Sequence, residues 1–162
     1  QVQGTTTIST VGWNIYSDQA HGFSIQYPPN FSIDTSESNS VSFTVPSSMT
    51  VGTNLSSDTQ VSVEWTQGTN CTAASFLDGG EPALAPTDTV YRFDVATLLG
   101  AAAGNRYEET VFALPTCIAI RYFIHSGAIE NYDPVTTRAF DHAELVRIFD
   151  AIRRTFIADH KG

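Results

Sequence analysis

Lysine is almost missing from this chain. Lys161 is the only one, and 8 basic against 17 acidic side chains leave a formal net charge of −9 over 162 residues. A surface this acidic repels phosphate, which sets aside nucleic acid and anionic membranes as partners. No apolar run approaches the ~20 residues needed to span a bilayer. The opening QVQGTTTIST has neither a basic start nor an apolar core, so it does not read as a signal peptide. A Thr/Ser/Gly-rich start fits a flexible linker over residues 1–11, as left by a removed signal or lying downstream of a lipid anchor.

Catalytic signatures are missing as well. GxSxG, GxxxxGK[ST], GxGxxG and HExxH do not occur, nor does an EF-hand acidic loop. His21, His125, His142 and His160 include no pair four residues apart. No metal site and no cofactor are therefore expected. CxxC is absent, so the two cysteines, Cys71 and Cys117, leave one internal disulfide as the expectation, with two reduced, buried thiols as the alternative. An oxidised pair places the chain outside the cytoplasm.

What is present is a globular composition, 41% apolar and 15% charged, at a length suited to one domain, read here as residues 12–157 with a tail at 158–162. Alternation of apolar residues predicts strands at 12–17, 21–36 (two, broken at Pro28-Pro29), 40–46, 59–67, 89–97, 106–114 and 117–126. Pro115-Thr116 suits a tight hairpin between the last two. Residues 47–58, 81–87 and 127–140 read as loops, the last turning at Asp133-Pro134, and the Gly/Ala-rich 100–106 as a flexible loop or bulge. A short helix is expected near 72–78, N-capped by Thr72. Asp141 three residues before Glu144 gives a capping-box spacing, and Leu145, Ile148, Phe149, Ile152 and Phe156 recur at helical spacing behind it, with Arg147, Asp150, Arg153 and Arg154 on the remaining surface. The sum is an α+β domain: a twisted antiparallel sheet of about six to seven strands with a C-terminal amphipathic helix packed across it.

Two stretches carry a resemblance. GFSIQYPPNFSI (22–33) resembles the opening strand, turn and strand of the PsbP/Mog1-like superfamily, and FDAIRRTF (149–156) resembles that superfamily's last helix. The order of elements over residues 12–157 agrees. AGNRYEETVFALPTCIAIRYFIHSGAIENYDP (103–134), with its AGNRYE and RYFIHS segments, is similar to a group of secreted bacterial proteins without an assigned activity. The resemblance implies an extrinsic accessory or binding role. It implies no catalytic residue.

The chemistry that remains sits on one strand. In CIAIRYFIHS (117–126) the even positions Ile118, Ile120, Tyr122 and Ile124 form a core face, while the odd positions carry Cys117, Arg121 and His125. Arg121 and His125 lie ~13 Å apart along a strand. Glu109 or Glu108 on the neighbouring hairpin strand is placed to pair with Arg121. Hairpin geometry brings Tyr107 and Asn105 towards His125, and Tyr132, Asp133 and Glu130 in the following loop are within reach of it. The candidate ligand-binding residues are thus His125, Arg121, Tyr107 and Tyr132. The same groups could do acid–base chemistry; the plainer reading makes Arg121 a structural ion pair and His125 a loop anchor. Three functions follow in order: an extracytoplasmic, non-catalytic accessory or binding protein with a protein or small-molecule partner; a small hydrolase-like enzyme using His125 with Tyr107, Arg121 or Asp133; and a structural subunit of a cell-surface assembly that uses exposed strand edges.

Overall fold

The computed structural model describes residues 7–158. Part of the expected linker over 1–11, nearly all of the expected tail over 158–162, and His160 and Lys161 lie outside the described residues. In chain order the strands are β1 (Asn14–Asp18), β2 (Phe23–Tyr27), β3 (Ser32–Asp34), β4 (Ser40–Thr44), β5 (Gln60–Trp65), β6 (Glu81–Ala83), β7 (Asp94–Ala102), β8 (Asn105–Ala113), β9 (Ile118–Gly127) and β10 (Ile157–Ala158). Helix α1 is the single turn Ser47–Thr50, and α2 is His142–Arg154. Short 3-10 turns occupy Ala73–Ser75 and Ile129–Asn131. No helix among the described residues is long and apolar enough to cross a membrane.

The class is α+β with antiparallel pairing throughout both sheets. The chain folds into two compact units, one from its two ends and one from Asn30–Phe140. The first holds a three-stranded sheet, β1-β2-β10, and α2. The second holds a seven-stranded sheet in the order β3-β4-β5-β9-β8-β7-β6. The larger sheet has the expected number of strands. Its separation from β1, β2 and β10 is not visible in the periodicity, which marks strands and not their partners.

In the first unit the alternation of Phe23, Ile25 and Tyr27 buries one face of β2, and α2 packs against that strand. Phe23 and Phe156 have ring centroids 5.9 Å apart, and Leu145, Phe149 and Ile152 are buried along the helix. Asp141 caps α2 as its spacing indicates, its carboxylate accepting from the Glu144 amide at 3.0 Å. Arg153 departs from the expected surface placement. It is only 4% exposed, because it follows Ile152 at the margin of the apolar stripe and lays its stem inward, with its guanidinium 3.7 Å from Asp150 one turn back.

In the second unit the even face of β9 meets Val61 and Val63 of β5 and Phe112 of β8, and beyond them Val41 and Phe43 of β4. All are buried. The β8–β9 turn at Pro115-Thr116 forms as expected and closes through Cys117, whose φ of 69° is a left-handed position that usually calls for glycine. Cys117 is bonded to Cys71, the residue before the Thr72 N-cap of the 73–75 turn. The bridge holds that turn over the odd face of the sheet, where Ala73, Leu77, Val111, Ala113 and Ala119 make a second small core.

Three segments differ from the sequence reading. The strand expected at 89–97 begins instead at Asp94, whose carboxylate accepts from the Ala73 amide at 2.8 Å, and Val90 is exposed ahead of it. It then runs to Ala102, through the Gly/Ala stretch read as a loop, because each of its residues finds a partner on β8. Ala103 and Gly104, at φ 52° and 81°, form the type I′ turn of this hairpin. The proline-containing 81–83 makes a short strand after all, at the sheet edge where a missing N–H is tolerated. Residues 47–58, read as a loop, contain α1 and are pinned by Asn54. Its buried side chain donates to Gly127 O at 2.7 Å and accepts from the Phe140 amide at 2.9 Å.

Two predictions follow from these contacts. Replacing both cysteines by serine should lower the unfolding free energy by about 4 kcal/mol, from the loop-entropy cost of releasing a bridge spanning 46 residues. Glycine at 117 with serine at 71 should recover about 1 kcal/mol relative to that double variant, since glycine accepts the left-handed turn; chemical denaturation measures both. In the first unit, burial pushes the Asp18 carboxyl up, but hydrogen bonds from the His21 side chain and backbone, and its charge, outweigh this and hold it below the usual carboxylate range. A carboxyl depressed by folding stabilises above its unfolded value, and the effect is lost as the pH falls through the lower folded value. The stability gap between the wild type and Asp18→Asn should therefore be full at about pH 5 and close on acidification.

Candidate functional site

Arg121 stands at the middle of β9, on the odd face, between β5 and β8. Its guanidinium grips Glu64 of β5 with two bonds, Nε to Oε2 at 2.6 Å and Nη2 to Oε1 at 3.1 Å. Nη1 donates to Glu109 of β8 at 2.6 Å, and Nη2 also donates to Phe76 O at 2.5 Å. Ser62 Oγ adds a bond to Glu64 Oε2 at 3.0 Å. Burial pushes the Arg121 group down, but hydrogen bonds and charge from Glu64, then Glu109, outweigh it, so its proton is held more tightly than usual. This is a closed cluster: one cation, two carboxylates, and the end of the 73–75 turn tied to three adjacent strands. Glu109 is the hairpin partner the sequence reading allows. Glu64 is not found by that reading, since nothing local says which strand lies on the far side of β9.

His125 lies four residues further along the same face. Its Nδ1 is 2.8 and 3.0 Å from the two carboxylate oxygens of Asp58, and its Nε2 is 2.8 Å from Asn105 Oδ1. The imidazole stacks on Tyr107, its direct cross-strand neighbour, with centroids 4.5 Å apart and planes at 21°. Phe123 lies beside both, 6.2 Å from each ring. The backbone is held as firmly: His125 O accepts from the Ser56 amide at 2.8 Å and from Thr59 Oγ1 at 3.1 Å. Tyr107 and Asn105 thus reach His125 as hairpin geometry indicates. Asp58 enters from the loop before β5, again a non-local partner.

The 127–133 residues take other positions. Tyr132 packs its ring on Gly127, where an added Cβ would collide with Tyr132 Oη and the ring carbons. Glu130 pairs with Arg106 at 3.5 Å. Asp133 turns the loop, its carboxylate accepting from the Val135 amide at 2.9 Å and its carbonyl from the Thr136 and Thr137 amides. Of the four candidates, the structure brings His125 and Tyr107 into one cluster. Arg121 sits in a separate one and Tyr132 in a third place. Among the described residues no group of three or more His, Cys, Asp and Glu side chains is arranged to hold a metal ion.

The odd face therefore has two ends. At the β8–β9 turn it is covered by residues 72–77, the disulfide and the small core. At the opposite end Tyr107, Phe123 and His125 form a half-buried ring platform with Gln60 and the bare Gly100 alongside.

No family model and no curated protein matches the chain. Among solved structures it is similar to a protein from Bacteroides thetaiotaomicron VPI-5482, with a TM-score of 0.51 and 13% identity over 91% of this chain and 49% of that one. The chain thus spans about half the length of the Bacteroides protein. At this identity the likeness concerns the fold alone. The solution structure of cyanobacterial PsbP (CyanoP) from Synechocystis sp. PCC 6803 also aligns, over 97% of this chain and 98% of that one, at 15% identity and a TM-score of 0.44.

Replacing Arg121 by methionine should cost about 3 kcal/mol in chemical denaturation, because it leaves Glu64 and Glu109 on one half-buried face without their cation. Adding Glu64→Gln and Glu109→Gln to that variant should restore a large part of the loss. A single variant as stable as the wild type would contradict the structural role.

Proposed function

We propose that this chain is a non-catalytic accessory or binding protein of PsbP/Mog1-like type that acts outside the cytoplasm, and that it binds its partner on the ring platform of Tyr107, Phe123 and His125. One observation carries the reading: the polar groups suited to chemistry already have partners within the fold. Arg121 spends its donors on Glu64, Glu109 and Phe76 O, and both ring nitrogens of His125 are engaged by Asp58 and Asn105. In this arrangement Arg121 and His125 hold their neighbours in place, which supports a structural and binding role for this face. Tyr107 and Phe123 are half-buried at this end, and their rings are suited to stacking against a planar or apolar group.

The extracytoplasmic setting is supported by the Cys71–Cys117 bond, since such bridges persist in oxidising compartments. The accessory role is supported by the element order, strands, a short turn, strands and a closing helix, which matches the resemblance drawn from 22–33 and 149–156.

Binding of an aromatic and monosaccharide fragment library, followed by amide chemical shifts, tests the proposal. Shifts should cluster at residues 58–60, 105–108 and 123–126, and Tyr107→Ala should weaken the hits at least about tenfold, the loss of one stacking partner. Hits that gather elsewhere, or a hydrolytic activity abolished by His125→Gln, would overturn it.

A further inference from the structure

The seven-stranded sheet has one edge left open. At one border, β3 is three residues long and ends on Asp34. At the other, β6 covers β7 only at Val95, Ala96 and Thr97. From Leu98 to Ala102 the outer side of β7 has no strand partner among the described residues. Leu99 to Gly104 are exposed, and residues 98–104, LLGAAAG, contain no charge and no proline. Sheet edges are normally blunted by such residues.

The register fixes which backbone groups face outward. Pro82 opposes Ala96 and has no N–H to give, so the hydrogen-bonded pairs on that side are Glu81 with Thr97 and Ala83 with Val95. On the other side, Ala102 and Asn105 flank the two-residue turn and bond to each other. Both constraints give the same phase. The N–H and C=O of Leu99 and Ala101 point away from β8, into the open edge.

We propose that this edge pairs with the same edge of a second copy of the chain, β7 to β7, antiparallel about a two-fold axis at Gly100. That register sets Leu99 against Ala101 of the second copy and Ala101 against its Leu99. Both outward residues are then used, with about four hydrogen bonds. Gly100 meets its own copy at a non-hydrogen-bonded position, where the Cα atoms approach to about 4.5 Å and a missing side chain is an advantage. Shifting the register by two residues in one direction would require Thr97, already bonded to β6; in the other it would require Ala103, inside the turn. The free stretch and the self-complementary register therefore match in length. In a chain of net charge −9, an uncharged segment is also where two copies approach with least repulsion.

A strip of this size lies below a standard interface, so association should be weak and concentration-dependent. Sedimentation of the full chain from about 10 μM to about 1 mM should show a rise from monomer towards dimer mass. Ala101→Pro removes one outward N–H and leaves the β8 ladder intact; Leu99→Asp places a charge on the strip through an already exposed side chain. Each should weaken association at least about tenfold. A wild type that stays monomeric over that range, or a dimer that survives both variants, would overturn the proposal.

Discussion

The guanidinium of Arg121 is the contact on which the rest of the larger sheet depends. It lies on the central strand, bonds to carboxylates on both neighbouring strands, and ends on the carbonyl of Phe76. A sheet face bearing two glutamates and an arginine is costly to bury unless every charge is answered. Here each is, and the answer also fixes the 72–77 segment over the odd face. The disulfide does the same one strand-turn away, and the small core of Ala73, Leu77, Val111, Ala113 and Ala119 fills the space between. Charge, covalent bond and packing all close the same end of the same face.

That closure leaves the opposite end of the face as the proposed binding site. His125 is fixed by Asp58 and Asn105 on its two nitrogens and by Tyr107 on its ring, so its freedom is small. The loops around it are fixed too, chiefly by Asn54, which bridges 127 and 140 from a buried position. A platform held this firmly loses little entropy when something rests on it, which is a property of binding surfaces that are largely formed in advance.

Most strands, the α2 cap and its apolar stripe, and the hairpin around Pro115-Thr116 were legible in the sequence, because alternation, helical spacing and turn chemistry are local signals. The contacts of His125 with Tyr107 and Asn105 were legible for the same reason, as hairpin neighbours. Glu64 and Asp58 were not. They arrive with β5 and the loop before it, which are separated from β9 by more than 50 residues of chain, and no local pattern names that neighbour. The strand from Asp94 to Ala102 was misplaced because a run of glycine and alanine has weak strand propensity and is held in the sheet by its pairing with β8. Arg153 was misplaced because its charge hides an apolar stem.

The central claim, that Arg121 is a locked structural cation and not a ligand-seeking one, is tested most directly by nitrogen-15 NMR of its guanidinium. The structure predicts a slowly exchanging Nε–H and separate Nη1 and Nη2 signals, since each nitrogen is held by its own acceptor. A single averaged Nη signal with fast-exchanging protons, as from a freely rotating surface arginine, would contradict it.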